Sequence, residues 1–275
     1  MFARLLVSAS ITSLVFSPAL GAPTGRRGPP PQMDWTVTVG MAPVYTPIFQ
    51  GAKDYGFSVF PDLRVNYRDD FFASVPDGIG YNAINTGGWK AGPLVKLRFG
   101  RREVTGGSPF LISGETDALR GLGDVGLAAE PGGFAQYTYH KVRARLELRQ
   151  GIGGHQGTVG DFNVSYVDRA GPLSYSLGPR LSYGGSGFMN TYFGIDAGQS
   201  ARSGLARYAA GGGITSYGIG GSAVMPVGEK GAVTLFAGYD RLGAQASDSP
   251  LIRQRGSQNQ ISIGLGFGYR FGWND

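Results

Sequence analysis

Apolar and polar positions alternate with a period of two along most of the chain. Near the C-terminus Ile261, Ile263, Leu265, Phe267, Tyr269 and Phe271 are separated by Ser262, Gly264, Gly266, Gly268 and Arg270. Successive strand residues point to opposite faces, so this segment has one apolar face ending in aromatics and one small or polar face. Trp35, Val37, Val39 and Met41 alternate with Thr36, Thr38 and Gly40, and Val59, Pro61, Leu63, Val65 and Tyr67 alternate with Asp62, Arg64 and Asn66. Val95, Leu97 and Phe99 alternate with Lys96, Arg98 and Gly100. In the clearest case Val142, Ala144, Leu146 and Leu148 are set against Lys141, Arg143, Arg145, Glu147 and Arg149, so five charges share one strand face.

The pattern predicts an all-β chain with strands at 34–45, 55–68, 70–83, 88–101, 124–138, 141–151, 157–168, 172–185, 188–197, 206–226, 231–242 and 257–271. Alternation by itself fits a soluble lipocalin-like barrel as well as a membrane barrel. Three features select a transmembrane antiparallel β-barrel: the aromatic C-terminal strand, segments of roughly 9 to 11 residues, and tyrosines or tryptophans near segment ends. The expectation is about twelve strands, with ten to fourteen allowed, an even number that leaves both termini on the periplasmic side.

If the apolar faces meet lipid, Lys96, Arg98, Arg143, Arg145, Glu147 and Arg149 line the lumen. On the same parity the links 47–53, 198–203 and 243–256 are extracellular. The long link from Arg102 to Gly123 falls on the periplasmic side, against the usual preference for short periplasmic turns.

The N-terminus sets the compartment. Residues 1–21 carry Arg4, an apolar run from Leu5 to Phe16, Pro18, and small residues at Ala19 and Gly21, which reads as a signal peptide cut ahead of Ala22. Residues 22–33, with Arg26, Arg27 and the prolines 29–31, read as a Pro-rich disordered periplasmic tether, and 34–275 as the barrel. The absence of cysteine excludes a disulfide scaffold and thiolate metal sites in an exported protein. The 48 glycines suit turns and small lumen positions and argue against a helical fold. A net charge of +6, evenly spread, gives no reason to expect a nucleic-acid partner.

Candidate chemistry is sparse. His140 and His155 are the only histidines, and neither sits in a nucleophile elbow or beside a serine. His155 lies in a glycine-rich stretch with Asp161 nearby, and a turn or interfacial role is expected for it rather than catalysis. Gly121 to Asp124 and Gly211 to Gly213 do not lie between a strand and a helix, so no cofactor is expected. Asp54, Asp240 and Asp248 lack the order of a calcium loop and read as solvated loop charges. The basic lumen residues offer a narrow anion-selecting pore as one alternative and a charge-paired closed interior as the other.

Six internal stretches and the C-terminal segment together carry a family likeness. They are VYTPIFQGAKDYGFSVFPDLRVNYRDDFFAS (44–74), GPLVKLRFGRR (92–102), LRGLGD (119–124), GGHQG (153–157), MNTYFGI (189–195), SGLARYAAGGG (203–213) and YDRLGAQASDSPLIRQRGSQNQISIGLGFGYRF (239–271). In order and spread over nearly the whole chain, they resemble the MltA-interacting protein family, also called MipA/OmpV. One departure is the extension past Phe271 to Asp275, where Trp273 continues the alternation. The resemblance implies a non-enzymatic barrel in the outer membrane of a Gram-negative bacterium, in contact with lipid and lipopolysaccharide. It further implies a scaffold between a murein lytic transglycosylase and a peptidoglycan synthase, with the link 102–123 and the basic tail 26–31 as candidate contact surfaces. For some relatives a surface-adhesin role is the further implication.

Overall fold

The computed structural model describes residues 33–107 and 109–274; the predicted signal peptide and tether fall outside them, apart from Met33. Twelve strands form the wall: β1 (Trp35–Pro47), β2 (Tyr55–Tyr67), β3 (Phe71–Ser74), β4 (Gly78–Tyr81), β5 (Trp89–Arg98) and β6 (Ala128–Tyr139), then β7 (Val142–Gln150), β8 (Thr158–Ala170), β9 (Leu173–Gly184), β10 (Gly213–Val227), β11 (Gly231–Leu242) and β12 (Asn259–Trp273). Each strand pairs antiparallel with the next, and β12 returns to β1 with Trp35 opposite Trp273, so the sheet closes on itself. Closure pairs the first strand with the last, so neither is left as a free sheet edge in the bilayer.

Two of the predicted strands differ from the structure, and the differences cancel in the total. The stretch 70–83 is a hairpin: Ser74 Oγ donates to Asp77 Oδ2 at 2.8 Å, Asp77 N–H donates back to Ser74 Oγ at 3.0 Å, and Gly78 takes a left-handed φ of 79°. Pro76 and Gly78 supply the turn chemistry. The stretch 188–197 opens inside helix α1 (Ser186–Phe193), because Phe188 and Tyr192, like Met189 and Phe193, are four residues apart and share one buried helix face.

The extra hairpin reverses the parity of the links that come after it as far as 188–197, where the missing strand restores it. The link 102–123 therefore lies at the long-loop end, together with residues 48–54, 151–157, 185–212 and 243–258. This corrects its expected periplasmic placement and removes the anomaly. The opposite end has short turns, at 68–70, 140–141, 171–172 and 228–230, and both ends of the described chain. In outer-membrane barrels that short-turn end is the periplasmic one.

The outward face is apolar. Side chains from Ile261 to Phe271 on the odd positions of β12 are 36% to 57% exposed, while Gln260 and Ser262 are buried inside. Aromatics mark both rims: Trp35 packs tilted against Tyr67 at 4.7 Å and stacks on Trp273 at 6.3 Å, and Tyr45 stacks on Tyr55 at 5.2 Å. From Tyr55 to Tyr67 a strand tilted by about 40° climbs roughly 30 Å, the height of a bilayer's hydrocarbon core. Leu265 sits in the middle of the outward band of β12. Leu265→Arg is expected to cost about 2–4 kcal/mol in folding equilibria measured in lipid vesicles. A cost near zero would mean that this face does not meet lipid.

Candidate functional site in the barrel interior

β5 to β8 stand side by side in register, and their inward positions converge. Lys96 is opposite Glu130, Glu130 approaches Arg149 across the β6 edge, and Asp161 pairs with Glu147 across β7 and β8. Arg149 is the hub. Its Nε donates to Glu130 at 2.9 Å, one terminal nitrogen to Asp161 at 2.6 Å, and the other to Glu147. Glu147 also meets Lys96 and Arg145, each at 2.8 Å, and Glu130 also meets Arg98. Arg145 lies over the Phe134 ring at 4.3 Å and Arg98 over Phe188 at 5.0 Å.

Five of the six residues proposed from sequence thus share one network: Lys96, Arg98, Arg145, Glu147 and Arg149. Arg143 is not among them; it is half-buried, and its Nε lacks a hydrogen-bond partner among the described residues. Sequence reasoning missed Glu130, Asp161 and His155. The β5–β6 register, which sets Glu130 opposite the inward Lys96, was needed to see it. His155 is a correction: it is 2% exposed, its Nε2 is 2.9 Å from Glu130 Oε1, and Phe188 and Tyr192 pack on its ring. Gly157 makes room for this, because a Cβ there would sit 2.0 Å from the Phe188 nitrogen.

On the opposite wall Arg180 pairs with Asp240 at 2.8 Å and Arg64 with Asp62 at 2.7 Å. Asp54 accepts from Thr116 at 2.6 Å, so Asp54, Asp240 and Asp248 have separate surroundings. The interior groups named, seven basic and five acidic, are mostly paired, and removing one partner would leave the other buried without it.

Above the network the long loops fold into a cap. Helices α1, α3 (Ala244–Ser247) and α4 (Pro250–Arg255) contribute to an apolar cluster with Phe49, Leu119, Phe193 and Leu251 at its centre, each at most 3% exposed, while α2 (Ala197–Ser203) lies outside the cluster. Ser249 Oγ donates to the Phe193 carbonyl at 2.6 Å, and Arg101 donates to the Tyr192 carbonyl at 2.7 Å. Burial pushes the Arg101 guanidinium down to about 10. An aspartate at the start of α2 caps it: Asp196 accepts from the Gln199 N–H while the Gln199 side chain accepts from Asp196 N–H.

A closed antiparallel barrel with an apolar outer band, aromatic rims and a charged interior under a loop cap is an outer-membrane β-barrel. The chain belongs to the MltA-interacting protein MipA family, whose model matches residues 39–271. Outer membrane protein OmpV of Vibrio cholerae is 32% identical over 229 residues, covering 80% of this chain and 81% of OmpV. The outer-membrane protein YiaT of Escherichia coli K12 is 32% identical over 115 residues, and the match spans 42% of this chain and 45% of YiaT, under half its length. Among solved structures, the COG4313 outer membrane channel from Pseudomonas putida F1 superposes with a TM-score of 0.45 at 14% identity, over 89% of this chain and all of the channel.

Proposed function

We propose that the protein is a closed, non-enzymatic barrel that anchors peptidoglycan-remodelling enzymes to the outer membrane, binding a murein lytic transglycosylase on its periplasmic side and, through it, a peptidoglycan synthase. The observation that carries the closed reading is the apolar cap over a charge-paired interior, which supports an anchor over the narrow basic pore. The family description supplies the transglycosylase as the partner. Lys96, Arg98, Arg145, Glu147 and Arg149 then hold the wall together rather than select ions, with Arg143 outside their network. Residues 1–21 are proposed to be removed on export, and 22–33 to reach from the barrel toward the cell wall.

The contact surface is the short-turn end with the basic tail 26–31; the link 102–123 is withdrawn, being at the other end. At this end Lys141 pairs with Asp168 at 2.8 Å and Arg68 with Asp34 at 2.8 Å, so the surface displays charges of both signs. In a pull-down with immobilised transglycosylase, the detergent-solubilised full chain is expected to be captured. Capture should fall on deletion of residues 22–33, and further with Arg68→Glu and Lys141→Glu. Unchanged capture with all three changes would overturn this surface.

A further inference from the structure

We propose that the lumen beside β2 holds a binding site for a small neutral apolar molecule, of about the bulk of one aromatic ring, that enters sideways from the hydrocarbon core of the membrane. The site is a cavity of about 140 Å³ under the cap. An apolar cavity of about 150 Å³ in another protein accepts benzene, which sets the size class. Its apolar walls are Val44, Phe60, Phe236 and Leu111, with Phe49 and Leu242 of the cap region above, and Ser58, Ser216, Thr234 and Gln260 also line it. The charged groups at its base are already matched, Arg180 with Asp240 and Arg64 with Asp62, so nothing in the lining calls for an ionic ligand.

The wall beside this cavity has a gap. The β3–β4 hairpin is only four residues tall on each side and covers β2 from Arg64 to Tyr67. Higher up, Leu111 and Ser113 pair with Ser58 and Phe57. Val59 N–H donates to the Phe110 carbonyl at 3.0 Å, and Val75 N–H donates to the Leu63 carbonyl at 3.3 Å. Among the described residues, no backbone pairing covers Phe60, Pro61 and Asp62 between those two bonds on that side of β2. Val59 and Leu63 share the parity of Pro61, so Pro61 directs its backbone toward the gap. Proline has no N–H to leave unsatisfied there.

The gap has a sill at Val75 and Pro76 and a lintel at Leu111, and all three also line the cavity, as does Pro61. Phe110 fills the corner between Phe60, 5.0 Å away edge-on, and Phe99 at 5.9 Å. Its height is set by the aromatic rims: Pro61 is midway along β2 between Tyr55 and Tyr67, hence near the membrane mid-plane. Leu63, Leu97 and Ile112 around it are exposed and apolar. A window there opens onto acyl chains, while the aqueous route from above passes through the packed cap.

The chain contains no cysteine, so a single introduced one reports access cleanly. Val44→Cys in proteoliposomes is treated with N-phenylmaleimide, which carries one aromatic ring and dissolves in the bilayer, and separately with the charged 2-sulfonatoethyl methanethiosulfonate. Each rate is normalised to that reagent's rate on the unfolded variant. The expected result is labelling by N-phenylmaleimide and roughly tenfold slower labelling by the sulfonate, whose charge bars it from hydrocarbon. Adding Val75→Trp, or Leu111→Trp should the first fail to fold by heat-modified gel mobility, should slow N-phenylmaleimide by roughly tenfold by filling the gap. Equal normalised rates for the two reagents, indifference to the tryptophan, or no labelling at all would each overturn the proposal.

Discussion

Glu130→Ala is expected to cost the barrel about 3–5 kcal/mol, the penalty for leaving buried charge without its partner. Glu130 is 1% exposed and meets three groups at once: Arg98, Arg149 at 2.9 Å and His155 at 2.9 Å. Alanine removes the acceptor, leaves Arg98 without its carboxylate, and leaves the fully buried Arg149 with Glu147 and Asp161 alone. Glu130→Gln keeps a hydrogen-bonding oxygen of the same shape and should cost less than alanine. The double change Glu130→Ala with Arg98→Ala should recover part of the loss, since the two groups belong to one network and their effects are not additive. Denaturant midpoints for refolding into lipid vesicles give these differences. A cost below about 1 kcal/mol for Glu130→Ala would mean that water enters the lumen and screens the charges.

Local pattern revealed most of the wall, because a period of two survives wherever one face meets lipid. It failed where the chain leaves the membrane. In α1 the residues Phe188, Met189, Tyr192 and Phe193 bury a helical face in the cap, a tertiary environment that the flanking alternation hides. In the 70–83 stretch the apolar residues on both sides of Val75 to Gly78 mimic one strand, although the proline and glycine mark a turn. The six proposed interior residues came from parity alone, and parity says which way a side chain points but not what it meets. Glu130 and Lys96 are 34 positions apart and become neighbours only through the β5–β6 register. His155 escapes a sequence reading because a glycine-rich stretch looks exposed; the fold uses those glycines so that Phe188 can close over the imidazole.

The cap and the wall are held by different forces, and this predicts how a cap substitution should behave. Phe193 is completely buried in the apolar cluster, and Ser249 holds its carbonyl. Phe193→Ala removes a packed ring and leaves a cavity, a loss of about 3–5 kcal/mol at a buried phenylalanine. The backbone ladder of the twelve strands does not pass through Phe193, so the loss falls on local opening of the cap rather than on unfolding of the barrel. By the same free energy the open fraction should rise by roughly two to three and a half orders of magnitude. Two measurements separate cap from wall. Protease added to the long-loop side should cut within 185–212 far faster in Phe193→Ala than in the unmodified protein, and planar bilayers should show brief conductance steps where the unmodified protein shows none. The denaturant midpoint of the barrel should move much less than for Glu130→Ala. Protease resistance and silent bilayers equal to those of the unmodified protein would place the seal elsewhere, in the charged network below. A midpoint shift as large as that of Glu130→Ala would instead make cap and wall a single cooperative unit.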